Sequence, residues 1–201
     1  MTFKVWGVLL LVSAPLVALA QGGTPLPVPV IAIIDVDQVQ LEALAAKAVR
    51  TQADKYRQDF EQQGAAEEAT LRTQKQTIEQ QAKANALSPD ALAEKARAFD
   101  AAYTDFQRLQ LARRRAFEKS YNTAMGKVQQ AMIDATAKAA QAHGANVILP
   151  RGQVVLFDDK MNLTKEIVAL MDKALATVDF PAPQIETPQP AAPQQPPKKK
   201  N

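Results

Sequence analysis

Ile31-Ala-Ile-Ile-Asp-Val36 is a short apolar segment with the chemistry of a β-strand, and a long run of helix-forming sequence follows it. Strand chemistry returns at Asn146-Val-Ile-Leu149 and again at Val154-Val-Leu-Phe157. Such short strands are not stable alone in water, so these segments must meet. The helical sequence between them therefore has to run out and come back. This order predicts a small body with one long hairpin arm.

The arm, residues 38–143, is predicted to fold back at Ala86-Leu-Ser-Pro-Asp90. Ser88 suits a helix N-cap, Pro89 suits the first helical position, and Asp90 suits the positive end of the helix dipole. Pro89 is also the only proline within the arm, although the chain has 13 prolines. We therefore predict two antiparallel helices, over residues 38–85 and 89–142.

The second arm helix carries apolar residues at alternating spacings of four and three, which is typical of a coiled-coil seam. Gln110 and Arg113 interrupt this seam. Small and polar residues among its positions predict a thin, incompletely sealed contact. Gly64 is a predicted weak point of the first helix, because a mid-helix glycine costs about 1 kcal/mol relative to alanine. The seam residues are Leu92, Ala96, Phe99, Tyr103, Phe106, Phe117, Tyr121, Met125, Val128 and Met132.

Both ends of the chain lie outside the predicted folded unit. Residues 1–20 have the form of a signal peptide, with a positive Lys4, an apolar run and a cleavage site after Ala20. An uncleaved membrane anchor is the alternative, but the apolar run is short for a spanning helix and contains a proline. Residues 21–29 are a proline-rich linker, and residues 180–201 are a proline-rich, basic tail that we expect to be disordered. The mature protein is expected to be exported and soluble.

Composition disfavours several classes of function. The net charge of +3 resides at the two ends, because acidic and basic residues balance over residues 21–179. The charge therefore gives no support for a nucleic-acid partner. The chain has no cysteine and one histidine, which disfavours a zinc site, a thiol nucleophile and a Ser-His-Asp triad. We predict no enzyme, no cofactor and no metal. The carboxylates near the body are interpreted as solubilising strand ends: Asp35, Asp37, Asp158 and Asp159.

Residues 30–37 and 144–179 are left to build a β-rich body, including a last helix that opens near Asn162 with Thr164 as its cap. About 40 residues is a size at which a single core needs help. Exposed strand edges would also invite pairing with other chains. Both features predict an oligomer in which several chains share one core. The residues assigned to this oligomerisation body are Ile31, Ile33, Ile34, Val36, Val147, Ile148, Leu149, Val154, Val155, Leu156 and Phe157.

Two groups of arm residues are candidates for binding other molecules. The aromatic rings either pack between the two arm helices or present partly exposed faces that bind other chains weakly. A basic cluster either attracts acidic segments and lipid phosphates or is a solvated helix face. The terminal Lys198-Lys-Lys200 offers marginal contact with an anionic membrane, at roughly 1 kcal/mol per charge. The aromatic candidates are Phe99, Tyr103, Phe106, Phe117 and Tyr121, and the basic ones are Arg108, Arg113, Arg114, Arg115 and Lys119.

The order and spacing of four segments over residues 30–178 resemble the Skp/OmpH family of periplasmic chaperones. The segments are Ile33-Ile-Asp-Val-Asp-Gln-Val39, Gly144-Ala-Asn-Val-Ile-Leu149, Val155-Leu-Phe157 and Asn162-Leu-Thr-Lys-Glu-Ile-Val168.

The resemblance implies an α+β, mostly α fold, in which three chains join through a small β-rich trimerisation body and three long antiparallel helical hairpins enclose a cavity. It implies a homotrimeric, ATP-independent holdase that keeps unfolded outer-membrane proteins from aggregating in the periplasm. The neutral core departs from the basic character common in that family. A structural coiled-coil spacer of the cell envelope is the alternative function.

Overall fold

The computed structural model describes residues 26–186. The predicted signal peptide, most of the predicted linker and the chain beyond residue 186 lie outside the described residues. The described chain is mostly helical with a small sheet, which confirms the predicted fold class. Its elements are β1 (Ile31–Ile34), α1 (Val36–Glu42), α2 (Leu44–Lys83), α3 (Pro89–Ala142), β2 (Val147–Pro150) and α4 (Thr164–Ala174), with short 3₁₀ turns at Arg151–Gln153 and Asp159–Met161.

The helices α2 and α3 form the arm, and they pack against each other along an antiparallel hairpin. Ser88 is the N-cap of α3, and its Oγ accepts a hydrogen bond from the Ala91 backbone N–H at 3.3 Å. Pro89 occupies the first helical position, where its missing N–H costs nothing. The turn chemistry read from the sequence is therefore confirmed.

The two strands meet as a parallel pair, in which Ile31 lies opposite Val147 and Ile34 opposite Pro150. Gly144 ends α3 with a φ of +65°, a conformation that glycine adopts without strain. The Asn146 side chain then accepts a hydrogen bond from the Val30 N–H at 2.8 Å and donates one to the Val28 carbonyl. These bonds set the start of both strands side by side at the base of the arm.

The segment Val154–Phe157 is not a strand, so that part of the sequence prediction is wrong. The sheet of the described residues ends at Pro150 and the chain turns away. The second edge of β1 is already taken, because Ile33 bridges to Asn162 and its carbonyl accepts a hydrogen bond from the Leu163 N–H. A third strand could therefore not join β1, and Val154–Phe157 does not pair with the outer edge of β2 either.

The first arm helix is interrupted at Ala43, where ψ is 134°, and the prediction of one unbroken helix is wrong at that point. Polar side chains stabilise both ends of the break. The Leu44 N–H donates to Asp172 Oδ1 at 2.8 Å. The Arg50 guanidinium donates to the carbonyls of Gln40 and Leu41. Gly64, in contrast, lies inside continuous helix.

The core lies where α4 packs against α1, α2 and α3 at the base of the arm. Val39, Val49, Ile167 and Met171 are fully buried there. The expectation that residues 30–37 and 144–179 build the core alone is therefore wrong, because the arm helices contribute much of it. Their share consists largely of small residues: Ala45, Ala46, Ala53, Ala124, Ala135 and Ala139.

Asp35 connects four segments at the edge of this core. Its backbone N–H donates to Thr164 Oγ1 at 2.8 Å, and its carboxylate accepts from the Gln38 N–H and from Arg151 Nη1, each at 3.0 Å. Thr164 is thus the first residue of α4 and not its cap. The Asn162 side chain instead accepts the Thr164 N–H. The strand-end carboxylate Asp35 has a structural role beyond solubility.

We expect Asp35→Asn to lower the melting temperature by a few degrees at pH 7 and by much less at pH 3. Hydrogen bonds from the Gln38 N–H and from Arg151 hold the pKa of Asp35 below its usual value of 3.8. Because the pKa of Asp35 is lower in the folded state than in the unfolded state, the ionised carboxylate stabilises the fold above pH 3.8. This stabilisation is lost as the pH falls through the folded-state pKa. Thermal unfolding followed by circular dichroism checks this, with Asp37→Asn as the control. Equal losses at both pH values would contradict the assignment.

Candidate functional site

The outer half of the arm carries two open apolar grooves between α2 and α3, each about 340 Å³ in volume. The first is lined by Ile78 and Phe99 together with the stems of longer polar side chains. The second is lined by Leu71, Phe106 and Leu109. The two helices therefore do not seal against each other here. Apolar atoms remain accessible from solvent along this half of the arm.

The aromatic candidates divide into two groups along α3. Phe99 and Tyr103 stack with ring centroids 6.2 Å apart near the tip, and Tyr103 is 47% exposed. Phe106 lies half-buried in the second groove. Phe117 and Tyr121 also stack at 6.2 Å, but they pack against the core nearer the base. Phe99 and Phe106 therefore border solvent-open grooves, and Tyr103 is the most exposed of the five rings.

Between Ala116 and Ala124 the buried seam of α3 differs from the predicted one by about one residue, whereas Val128 is buried as predicted. Ala116, Ser120 and Ala124 are buried, whereas Phe117, Tyr121 and Met125 lie half-buried beside them. Small residues at the contact let two helices approach closely. Large side chains then cover the flanks instead of filling the centre. The predicted thinness of the interface is consistent with this packing.

Arg113 is not part of an exposed basic patch, and this part of the binding-site prediction is wrong. Its side chain is 7% exposed, and it donates to Glu67 Oε1 at 2.7 Å and Oε2 at 2.8 Å, and to Gln63 Oε1 at 3.1 Å. It therefore ties α3 to α2 at the middle of the arm. Arg114 and Arg115 are exposed, and Arg108 forms a surface ion pair with Asp105.

A cleft that the sequence analysis missed lies where the chain leaves α4. Val178 and Phe180 are buried, although Phe180 was expected to begin a disordered tail. The Phe180 ring stacks on Tyr56 at 5.3 Å and contacts Phe117 at 5.9 Å. The sequence offers one sign of this contact, a single phenylalanine beside prolines at the start of the tail. No local pattern indicates that such a ring packs against the arm.

Residues 176–186, which we call the strap, continue from this cleft along α3. Gln184 and Glu186 line a cavity of about 280 Å³ together with Arg108, Arg115 and Lys119. Glu186 comes within 3.8 Å of Lys119, but both side chains are largely exposed. Part of the predicted basic cluster therefore borders the strap.

The residues assigned to the oligomerisation body fall into three environments. Ile33 and Ile34 are buried within the protomer, and Ile31 is 36% exposed. Val155 and Leu156 are almost fully exposed, at 105% and 89%. This pair is the most accessible apolar surface near the body. The remaining residues are half-buried: Val36, Val147, Ile148, Leu149, Val154 and Phe157.

Residues 26–186 contain no cluster of three or more histidine, cysteine or carboxylate side chains able to hold a metal ion. None of the helices in this part of the chain combines the length and the apolar character needed to cross a membrane.

Comparisons with known proteins agree with this architecture. A family model described as outer membrane protein (OmpH-like) matches residues 30–171. The fold is similar to the crystal structure of a proposed OmpH-like outer membrane chaperone from Caulobacter crescentus CB15, with a TM-score of 0.69 and 24% identity, covering 80% of this chain and 94% of that one. No curated protein matches the sequence significantly. The strand, helical hairpin, returning strand and final helix, together with the family match over most of the chain, show that this chain belongs to the OmpH-like family.

Proposed function

We propose that the protein is an ATP-independent holdase that binds unfolded outer-membrane proteins between helical arms and prevents their aggregation. The observation that carries this proposal is the pair of solvent-open apolar grooves along the outer half of the arm. Membership of the OmpH-like family supports a chaperone role. No catalytic chemistry is proposed.

Each groove offers a small apolar contact area, so a single site would bind an unfolded segment weakly. Three arms around one cavity would engage one long client at many points, and linked weak contacts add up to strong binding. Each contact breaks independently, so the client can leave without an energy source. For this physical reason, open grooves suit an ATP-independent holdase better than a sealed coiled coil would.

We propose a homotrimer in which the body supplies the shared surface. Val155 and Leu156 expose nearly all of their apolar atoms. An apolar depression between Ile34, Ile133 and Ile148 lies on the same protomer. Assembly would bury both surfaces, which a protomer alone leaves in water.

We place the proposed activity in the periplasm, and residues 1–20 are the proposed export signal. Weak contact of the Lys198–Lys200 end with anionic lipid is a secondary proposal, and no nucleic-acid partner is proposed. These assignments rest on the sequence features and on the family resemblance.

The test is dilution of a urea-denatured outer-membrane β-barrel into buffer with the protein at one trimer per barrel. We expect turbidity to stay at baseline. With Phe99→Ala combined with Phe106→Ala, at least fivefold more protein should be needed, since two lost contacts of roughly 0.5 kcal/mol each, in even one of the three arms, correspond to that factor.

The matched control removes two exposed leucines at the base of the arm, with Leu41→Ala combined with Leu44→Ala, and should behave like the unmodified protein. Ordinary aggregation in the presence of the unmodified protein would overturn the holdase proposal. Equal behaviour of both double variants would show that the grooves are not the client site.

A structural spacer is the second candidate, and the buried Arg113–Glu67 pair favours it because such a pair holds two helices in one fixed register. Affinity capture on the immobilised protein separates the two functions. A holdase retains many unfolded barrels, whereas a spacer retains one folded partner.

A further inference from the structure

The strap occupies its cleft in the manner of a bound peptide. Residues 176–186 form no helix or strand, and two of their side chains, Val178 and Phe180, are buried against the arm. The Phe180 ring lies between Tyr56 and Phe117. The Arg57 guanidinium lies over the Phe117 ring, 5.9 Å from its centroid. The pocket therefore receives one aromatic side chain from an extended chain.

Gln52 binds the backbone of the strap and not its side chains. Its Nε2 donates to the Val178 carbonyl at 2.8 Å, and its Oε1 accepts from the Phe180 N–H at 3.1 Å. This pair of bonds is available to any extended peptide, because every non-proline residue offers the same two groups. Asp179, between the two bonded residues, is exposed. Recognition thus requires an extended backbone, an aromatic side chain and an apolar side chain two residues before it.

The contacts beyond Phe180 are weak. Pro181 and Pro183 have no N–H to donate, so the strap cannot extend a hydrogen-bonded ladder. The Lys119–Glu186 ion pair is 77% and 86% exposed, and such pairs contribute little. The strap is therefore held mainly at Val178 and Phe180, and a competing chain that fills these two positions can displace it.

We propose that the cleft formed by Gln52, Tyr56 and Phe117 is a binding site for extended, aromatic-containing segments of unfolded chains, and that the strap is its built-in competitor. The proposal rests on the holdase function above and assigns it a second site, at the base of the arm. With no client present, the strap covers the aromatic surface. When a client segment enters, it takes the place of Phe180 and releases the strap.

The strength of this competition follows from tethering. A segment attached through a short linker acts at an effective concentration in the millimolar range. An external peptide of the same sequence must compete with that concentration. Its apparent dissociation constant is the intrinsic one divided by the fraction of clefts that the strap leaves empty. Removing the Phe180 ring should therefore make the cleft available to an added peptide.

The experiment uses the full chain and a fluorescein-labelled peptide, Ala-Thr-Val-Asp-Phe-Pro-Ala-Pro-Gln-Ile-Glu, which copies residues 176–186. Binding is measured by fluorescence anisotropy. We expect Phe180→Ala to bind the peptide about tenfold more tightly than the unmodified protein. The control Asp179→Ala, altered at the exposed neighbouring position, should bind like the unmodified protein. Equal affinities for Phe180→Ala and the unmodified protein would overturn the proposal.

A second variant acts in the opposite direction. Gln184 and Ala112 line the same cavity, and the chain has no cysteine of its own, so Gln184→Cys with Ala112→Cys allows specific cross-linking of the strap to α3. The cross-linked protein should bind the peptide at least tenfold more weakly than the same protein before cross-linking. Unchanged binding would count against a displaceable strap even if Phe180→Ala were to fold poorly.

A competition step tests the ligand class. A urea-denatured β-barrel added to Phe180→Ala should displace the labelled peptide, and a folded barrel should not. Failure of the unfolded barrel to displace it would overturn the cleft as a client site. Peptide binding is measured without any client, so its result is independent of the aggregation assay. Loss of holdase activity with normal peptide binding would therefore overturn the proposed function and not the strap mechanism.

Discussion

Val155→Asp combined with Leu156→Asp is expected to convert the proposed homotrimer into single protomers at micromolar concentration. Both side chains are almost fully exposed in the protomer, so the change leaves its core intact. Each valine or leucine buried on assembly contributes about 1.5–3 kcal/mol, and a symmetric assembly repeats the contribution in every copy. Placing carboxylates there adds the cost of burying unpaired charges.

Light scattering coupled to size-exclusion chromatography measures the result, and circular dichroism verifies that the helices remain. The matched control is Leu26→Asp combined with Val28→Asp, which alters the same residue types at exposed positions before β1. The control should keep the mass of the unmodified assembly. A double variant at 155 and 156 that also keeps this mass would show that the assembly uses another surface.

Glu67→Ala is expected to destabilise the middle of the arm by about 2–3 kcal/mol. This is somewhat less than the cost of breaking a fully buried ion pair, because the Glu67 side chain is 35% exposed. The loss arises at Arg113, whose 7%-exposed guanidinium would keep only the bond to Gln63. Its Nε already lacks a hydrogen-bond partner among the described residues. The variant therefore leaves a buried cation without a counterion.

Amide hydrogen exchange of the residues around 60–70 and 106–120 measures this change, since an arm opens locally without global unfolding. The neighbouring Glu68→Ala is the control. Glu68 pairs with Arg72 on the surface at 3.4 Å, so about 0.5 kcal/mol or less is expected. Equal effects of the two variants would mean that the Arg113 pair contributes no more than a surface contact.

Local chemistry in the sequence was sufficient to predict the outline of the fold. Ser88 and Pro89 carry the information for a helix start in their own side chains, and Gly144 carries it for a helix end. The apolar segments at Ile31 and Val147 were predicted to meet, and they form the parallel pair. The two helix caps depend on a few neighbouring residues, whereas the strand pairing was inferred because short apolar strands are not stable alone in water.

The candidate site was only partly predictable. The aromatic positions of α3 were identified, but which of them border an open groove depends on how α2 packs against them. The seam was placed on Phe117 and Tyr121, whereas the buried positions are Ala116 and Ser120. Hydrophobic periodicity favours large residues, but close approach of two helices favours small ones. A difference of one residue along a helix rotates the contact face by about 100°.

The order of strand, hairpin, strand and helix, the position of the turn and the family could all be read from the sequence, because each depends on local propensity or on the spacing of segments. Three features depend on tertiary packing: Arg113 is buried against Glu67, Val154–Phe157 does not join the sheet, and Phe180 is docked beside Tyr56. In each case the deciding partner lies elsewhere in the chain. Whether a charge is buried, a strand is paired or a ring is docked depends on the free energy of contact with that partner. The residue's own neighbours in the sequence do not specify this free energy.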